Sequence, residues 1–348
     1  MSLVGLAAFN LLLNAIPAFA LAWLFSRATL RLLRIPPGRV ALGLSSLPFV
    51  KLAYDLAGGI PARAFLWQRA AGVPRDLGTF QMGAGTHWGL LRVDLSLGAL
   101  AGGTQYPDSA ADIAAALLTK RVSIWAPLVV ATLLLSVSLW RLGARMQGWL
   151  VAARRAREIR GGQPVGFACG KRRSFPIHLV GDHGSPFSGG LWRGYICFPR
   201  ALWHALPESE RAAAIAHEAG HLAERHLLVS LAAGVIEDLF WFVPGMASAR
   251  RRLSEAIEGA ADQWAIDRGH SPVVLASALI RVAEATAPAR FAHGTCNATG
   301  ASTSARIDRL LADRAPTPRL GCQRPLVRAA FFVWAAGSLL IAIAFGNH

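Results

Sequence analysis

The sequence predicts a mainly helical membrane protein with four spans and a mixed α+β domain on the cytosolic side, between the third and fourth spans. Three observations lead there. Only 16% of the 348 residues are charged and 53% are hydrophobic, whereas ordinary soluble domains carry about 25% charged residues. Four stretches are apolar over the roughly 20 residues that a bilayer crossing needs. The arginines gather at the ends of those stretches.

The first stretch, about Leu3 to Phe25, contains no charge. No basic residue precedes it and it is longer than the apolar part of a secretory leader, so it is expected to remain as a span. The second, about Val40 to Ile60, holds Lys51 and Asp55 four apart on one helical face. They read either as a local ion pair near the outer interface or as functional charges inside the membrane. The third runs from about Val122 to Trp140 and the fourth from about Val327 to Phe345.

Orientation follows from the basic residues, which favour the cytoplasmic side. Arg27, Arg31, Arg34 and Arg39 lie between the first two spans with no acid among them, and Arg141, Arg145, Arg154, Arg155, Arg157 and Arg160 follow the third. Asp76, Asp94, Asp108 and Asp112 fall in the glycine-rich segment 61–121, which is expected outside. The division is then a membrane region at 1–140, a cytosolic domain at 141–326, and the fourth span with a short outer tail at 327–348. The expected location is the cell (inner) membrane, multi-pass. The net charge of +16 becomes a matter of topology and argues against a nucleic-acid partner.

Within 141–326, Ile177–Val180 and Tyr195–Phe198 are short β-prone runs bounded by Gly and Pro. From Ser209 onward the pattern is helical, with Pro207, Glu208 and Glu210 marking a helix start. Cys169, Cys197, Cys296 and Cys322 form no Cys-x-x-Cys pair and are expected as free thiols in a reducing compartment.

His217-Glu218-Ala219-Gly220-His221 fits H-E-x-x-H. Residues four apart share one helix face, so both imidazoles can grip one zinc ion. Glu218 then stands beside the bound water, whose pKa the metal lowers toward about 7, and can take its proton. Gly220 is the weak point of this helix, at a cost of about 1 kcal/mol, but it also lets a neighbour approach closely. A third ligand must come from Glu224, His226, Glu237, Asp238, Glu255, Glu258 or Asp262. Glu258 and Asp262 are favoured. They lie four apart amid small residues, so one can bind the metal while the other accepts the spare N–H of a ligating histidine. Glu255 is the runner-up.

Several segments, in order, resemble the BlaR/MecR-type integral-membrane metallopeptidases, relatives of the HtpX-type membrane proteases. They are Ser185-Pro186-Phe187-Ser188-Gly189-Gly190, Tyr195-Ile196-Cys197-Phe198-Pro199, Ile215 to His221, Leu239 to Pro244, Arg250 to Leu253, Glu258-Gly259-Ala260-Ala261-Asp262 and Ala305 to Leu311. The resemblance covers about 176–311 and includes the four-span layout. It implies a zincin-like metallopeptidase domain, His217, His221 and Glu258 as ligands of one zinc per chain, Glu218 as base, and Asp262 behind the ligands. It also implies limited proteolysis of a protein or peptide substrate at the cytosolic face. One departure is His226, nine residues after His217, where that family often has an acid. Another is that no penicillin-binding sensor domain is expected after the last span.

Tyr195, Ile196, Cys197 and Phe198 form either an edge strand that takes an extended substrate or an ordinary core strand. Leu227–Met246 is apolar, but Glu237 and Asp238 within it favour an amphipathic or re-entrant helix at the membrane surface. The rival functions are a zinc-binding signalling scaffold without turnover and, on the strength of Lys51 and Asp55, a carrier. A homo-oligomer or a signalling partner stays open.

Overall fold

The computed structural model describes residues 2–58, 110–170, 173–182, 184–292 and 298–312. It is mainly helical with one small mixed sheet. Helices α1 (Ser2–Leu32) and α2 (Arg39–Gly58) pair as a hairpin, and α3 (Ala110–Gly161) packs against α1. The first three expected spans fall largely within these helices. At 1.5 Å per residue the 52 residues of α3 extend roughly 78 Å, well beyond an apolar layer of about 30 Å. Among the described residues, Val129–Gly161 is the helical stretch long and apolar enough to cross a membrane. Leu133, Leu139 and Trp140 on it are turned away from the protein. The expected fourth span, most of the outer segment 61–121, Cys296 and Cys322 lie outside the described residues. Cys169 and Cys197 are free thiols.

The domain that follows α3 begins with a four-stranded sheet: β1 (Gly166–Cys169), β2 (Ser174–Val180), β3 (Phe187–Gly189) and β4 (Tyr195–Pro199). Its spatial order is β1-β2-β4-β3. β2 and β4 run parallel, with Ile177 opposite Ile196, and β3 pairs antiparallel to β4 with Phe187 opposite Cys197. The two β-prone runs of the sequence therefore become neighbouring central strands. One sheet face packs Ile177, Ile196 and Phe198 against Leu202 of α4 (Arg200–Ala205) and Ala214 and Ala219 of α5 (Glu208–Ala223). Pro207 stands at the N-cap of α5 with Glu208 and Glu210 in its first turn, as the sequence predicts.

Glu224 caps α5, and Arg225 takes a left-handed conformation (φ 57°, ψ 36°) that turns the chain sharply into α6 (His226–Leu239). The apolar run 227–246 is thus interrupted: α6 stops before Phe240, and α7 (Met246–Ile266) begins after a turn at Gly245. Its acids are paired. Asp238, 3% exposed, receives Arg141 and Arg145 from α3, while Glu237 faces Arg250. Ser138 of α3 donates to the Leu239 carbonyl at 2.8 Å. A single core joins Phe19 of α1, Leu52 of α2 and Ala131 of α3 to Ile236 of α6 and to Phe240, Met246 and Leu253. Helices α1, α2 and α3 therefore share a core with the domain that follows. Lys51 is buried within the helical bundle.

α7 crosses α5 closely because both helices are lined with small residues. Ala256, Gly259, Ala260 and Ala261 are buried on α7. Gly220 faces Trp264 so tightly that an added Cβ would lie 2.9 Å from the Trp264 Cβ and from Cγ of its ring. Gly259 meets the loop between α1 and α2, where a Cβ would lie 2.5 Å from the Pro37 carbonyl oxygen. Gly220→Ala should gain about 1 kcal/mol in helix propensity but lose about 1–3 kcal/mol to overpacking against a ring root that cannot swing aside. The expected result is a lower apparent unfolding temperature. A higher one would show that the crossing can open at no cost. The α8 (Pro272–Ala292) and α9 (Ala298–Ala312) helices close the domain, with Leu275 and Leu310 packed on Ala213 and Ala265.

Candidate metal centre

The α5–α7 crossing brings the residues of interest together. His217 and His221 project from one face of α5, with their Nε2 atoms 3.2 Å apart. Glu258 of α7 reaches into the same space, one oxygen 3.5 Å from His217 Nε2 and the other 3.7 Å from His221 Nε2. The three side chains offer ligand atoms that all lie within 4.8 Å of one another. Zinc bonds of about 2.0–2.1 Å at the tetrahedral angle separate adjacent donors by roughly 3.3 Å, so these distances suit such an ion. The donor set of two imidazole nitrogens and a carboxylate suits it chemically as well.

The electrostatics point the same way. Burial alone would lower the pKa of His217, but its bonds to Asp262 and Glu258 outweigh this and raise it to about 10. Burial and the charge of His217 push His221 down to about 3. The two rings are thus shifted in opposite directions, His217 toward holding a proton and His221 toward the neutral form. A divalent cation placed between them would compete with protons for the site and meet two imidazole lone pairs and a carboxylate. Glu258 and Asp262 are held well below the usual carboxylate range: burial opposes ionisation, but His217 and Arg306 more than compensate.

Behind these donors, Asp262 Oδ1 stands 3.0 Å from His217 Nδ1. Asp262 in turn receives two guanidinium nitrogens of Arg306, at 3.1 and 2.6 Å, and a third reaches Glu258 at 2.7 Å. His226 lies on the other side, its Nδ1 3.3 Å from His221 Nδ1. The remaining ligand candidates are elsewhere. Glu255 is exposed, Glu224 is engaged by Arg39 at 3.3 Å, and Glu237 and Asp238 belong to the α3–α6–α7 contacts described above.

A cavity of about 370 Å³ opens on this centre, within the size range of small-molecule and peptide pockets. Glu218, Ser188, Phe187 and Arg306 line it together with the two histidines and Glu258. Burial and the neighbouring Glu258 raise the pKa of Glu218, against the opposing effects of His217, Ser188 and Arg306.

The strand expected to receive substrate needs correction. Tyr195–Phe198 belong to β4, which is buried throughout and hydrogen-bonded on both sides. No free main-chain edge remains there. The open edge beside the cavity is β3, three residues long and easily passed over in a sequence because it contains two small residues. Cys197 is fully buried, and burial with the nearby Glu218 charge pushes its thiol up to about 12.

Arg306 had no role assigned from sequence. Its signal was its spacing: four residues before the buried Leu310, it lies on the apolar stripe of α9, where an unpaired arginine would be prohibitively costly.

Two imidazoles four residues apart, a carboxylate from a second helix, and an open strand edge along the cleft define a metallopeptidase-type domain, here packed onto α1, α2 and α3. The BlaR1 peptidase M56 family model matches residues 122–312, more than half of the chain, and the chain belongs to that family. The matched region runs from α3 to the end of α9 and includes every residue of the site. No curated protein matches the chain.

Proposed function

We propose that this protein is a membrane-embedded zinc endopeptidase that cuts protein substrates at the cytosolic face, as a regulatory or signalling step. The convergence of His217, His221 and Glu258 carries this reading, and the peptidase family supports it. Zinc, when bound, supplies a Lewis acid for the scissile carbonyl and an acidified water. Glu218 takes the water's proton and returns it to the departing amine. Its raised pKa suits both halves of that task, since a stronger base accepts more readily and its conjugate acid persists long enough to donate.

Asp262 accepts the Nδ1 proton of His217 and so keeps the Nε2 lone pair facing the cavity. Arg306 fixes both acids by a fork of hydrogen bonds. An extended substrate would add to β3 by main-chain pairing, with the Phe187 and Ser188 side chains meeting it at the cavity rim. The cytosolic orientation is supported by Arg141, Arg145, Arg154, Arg155, Arg157 and Arg160 in the C-terminal half of α3, and the membrane setting by the uncovered apolar side chains of Leu133, Leu139 and Trp140 that precede them.

Metal analysis of purified full-length protein tests the reading. About one zinc per chain is expected, with His217→Ala and Glu258→Ala each losing most of it. A wild-type protein that takes up no zinc from a zinc-containing buffer would overturn the proposal.

A further inference from the structure

His226 is 1% exposed, follows directly on the left-handed Arg225, and touches the site from beneath. Its ring meets that of His221 edge to face, with centroids 5.2 Å apart. The contact runs between the two Nδ1 atoms, and His226 Nε2 is buried with no partner among the described residues.

A count of protons decides what this contact does. A neutral imidazole carries one N–H, and its other nitrogen accepts. If His221 offers its Nε2 lone pair toward His217 and Glu258, its proton must sit on Nδ1. Among the described residues the group facing that proton is His226 Nδ1, which must then accept, leaving the His226 proton on Nε2. The two histidines of α5 are thus supported differently. His217 is backed by a carboxylate clamped by Arg306, and His221 by a neutral ring.

We propose that His226 is a positioning residue: its Nδ1 accepts the His221 Nδ1 proton and holds the His221 ring with Nε2 aimed into the metal centre. This rests on the zinc reading above. The sharp turn at Arg225 is what allows it, because a straight continuation of α5 would carry residue 226 away from His221. An aspartate at 226 could accept the same proton with a formal charge, which would make His221 the stronger donor. The histidine leaves His217 as the better supported of the pair.

Zinc affinity of the full-length protein, measured by chelator competition in detergent, tests this with three variants. His226→Leu keeps bulk and removes the acceptor, and should weaken binding about 10- to 100-fold, the range typical of such outer partners. His226→Asn places an amide oxygen near the Nδ1 position and should recover most of the loss. His226→Asp should bind at least as tightly as wild type. Binding by the Leu variant within about twofold of wild type, or an Asn variant as weak as Leu, overturns the proposal.

Should the Leu variant fail to fold, ¹⁵N-histidine spectra of the zinc-free wild-type protein decide instead. The Nδ1–H tautomer is expected at His221, and the Nε2–H tautomer refutes the assignment. A wild-type chain that binds no zinc at all refutes the metal reading, whereas wild-type binding with no response at residue 226 refutes this proposal alone.

Discussion

Glu218→Gln should abolish proteolysis while the zinc stays in place. Glu218 lines the cavity beside His217 and is not among the three side chains whose ligand atoms converge. Glutamine keeps the shape but cannot take a proton from water, and loss of a positioned general base costs roughly 10²–10⁴ in rate. Over a cellular time course that loss is complete. The measurement compares protein fragments in cells carrying the wild-type or the Gln form, alongside the zinc content of both proteins. Fragments present in wild type and missing in the variant, at equal zinc, are the expected outcome. Identical fragment patterns under every condition would leave a zinc-holding scaffold as the better description, because a scaffold does not need a base. Loss of zinc in the variant would mean that Glu218 is a ligand and that the division of labour in the site is different.

Arg306→Met should destabilise the metal-free protein by about 3–5 kcal/mol, the cost of removing one partner from a buried charged group. The Arg306 side chain is 11% exposed, and its guanidinium binds both Asp262 and Glu258. Without it, two carboxylates share a largely buried space with only His217 to balance them. For a domain of this size, the shift in unfolding temperature is on the order of 10 °C. Zinc should recover part of the loss, since the cation replaces the missing positive charge beside Glu258. Thermal unfolding of both proteins, with zinc and with a chelator, checks this. A metal-free variant within about 1 kcal/mol of wild type would show that Arg306 is not needed to balance the acids.

Much of this centre was legible in the sequence for a simple reason. His217, Glu218 and His221 are local, and helix periodicity alone puts the two rings on one face. Glu258 and Asp262 were readable because four-residue spacing and flanking alanines and glycine describe a helix built for close approach. The start of α5 was readable from Pro207 and its acidic first turn. Sequence periodicity says which residues share an element's face. It does not say which element stands opposite.

That second question is where tertiary structure decided. Which short strand lies at the edge depends on pairing partners far apart in the chain, so β4 became central and β3 took the edge. Arg306 sits 44 residues beyond Asp262 and reaches it only because α9 folds back over the site. His226 meets His221 through one left-handed residue, Arg225, a backbone choice that composition does not encode. Pro37 meets Gly259, next to Glu258, because the α1–α2 hairpin packs on α7. The spacing of the centre's donors is local, whereas its support and the open strand edge beside it follow from long-range packing, where the burial of distant surfaces outweighs what any one segment prefers by itself.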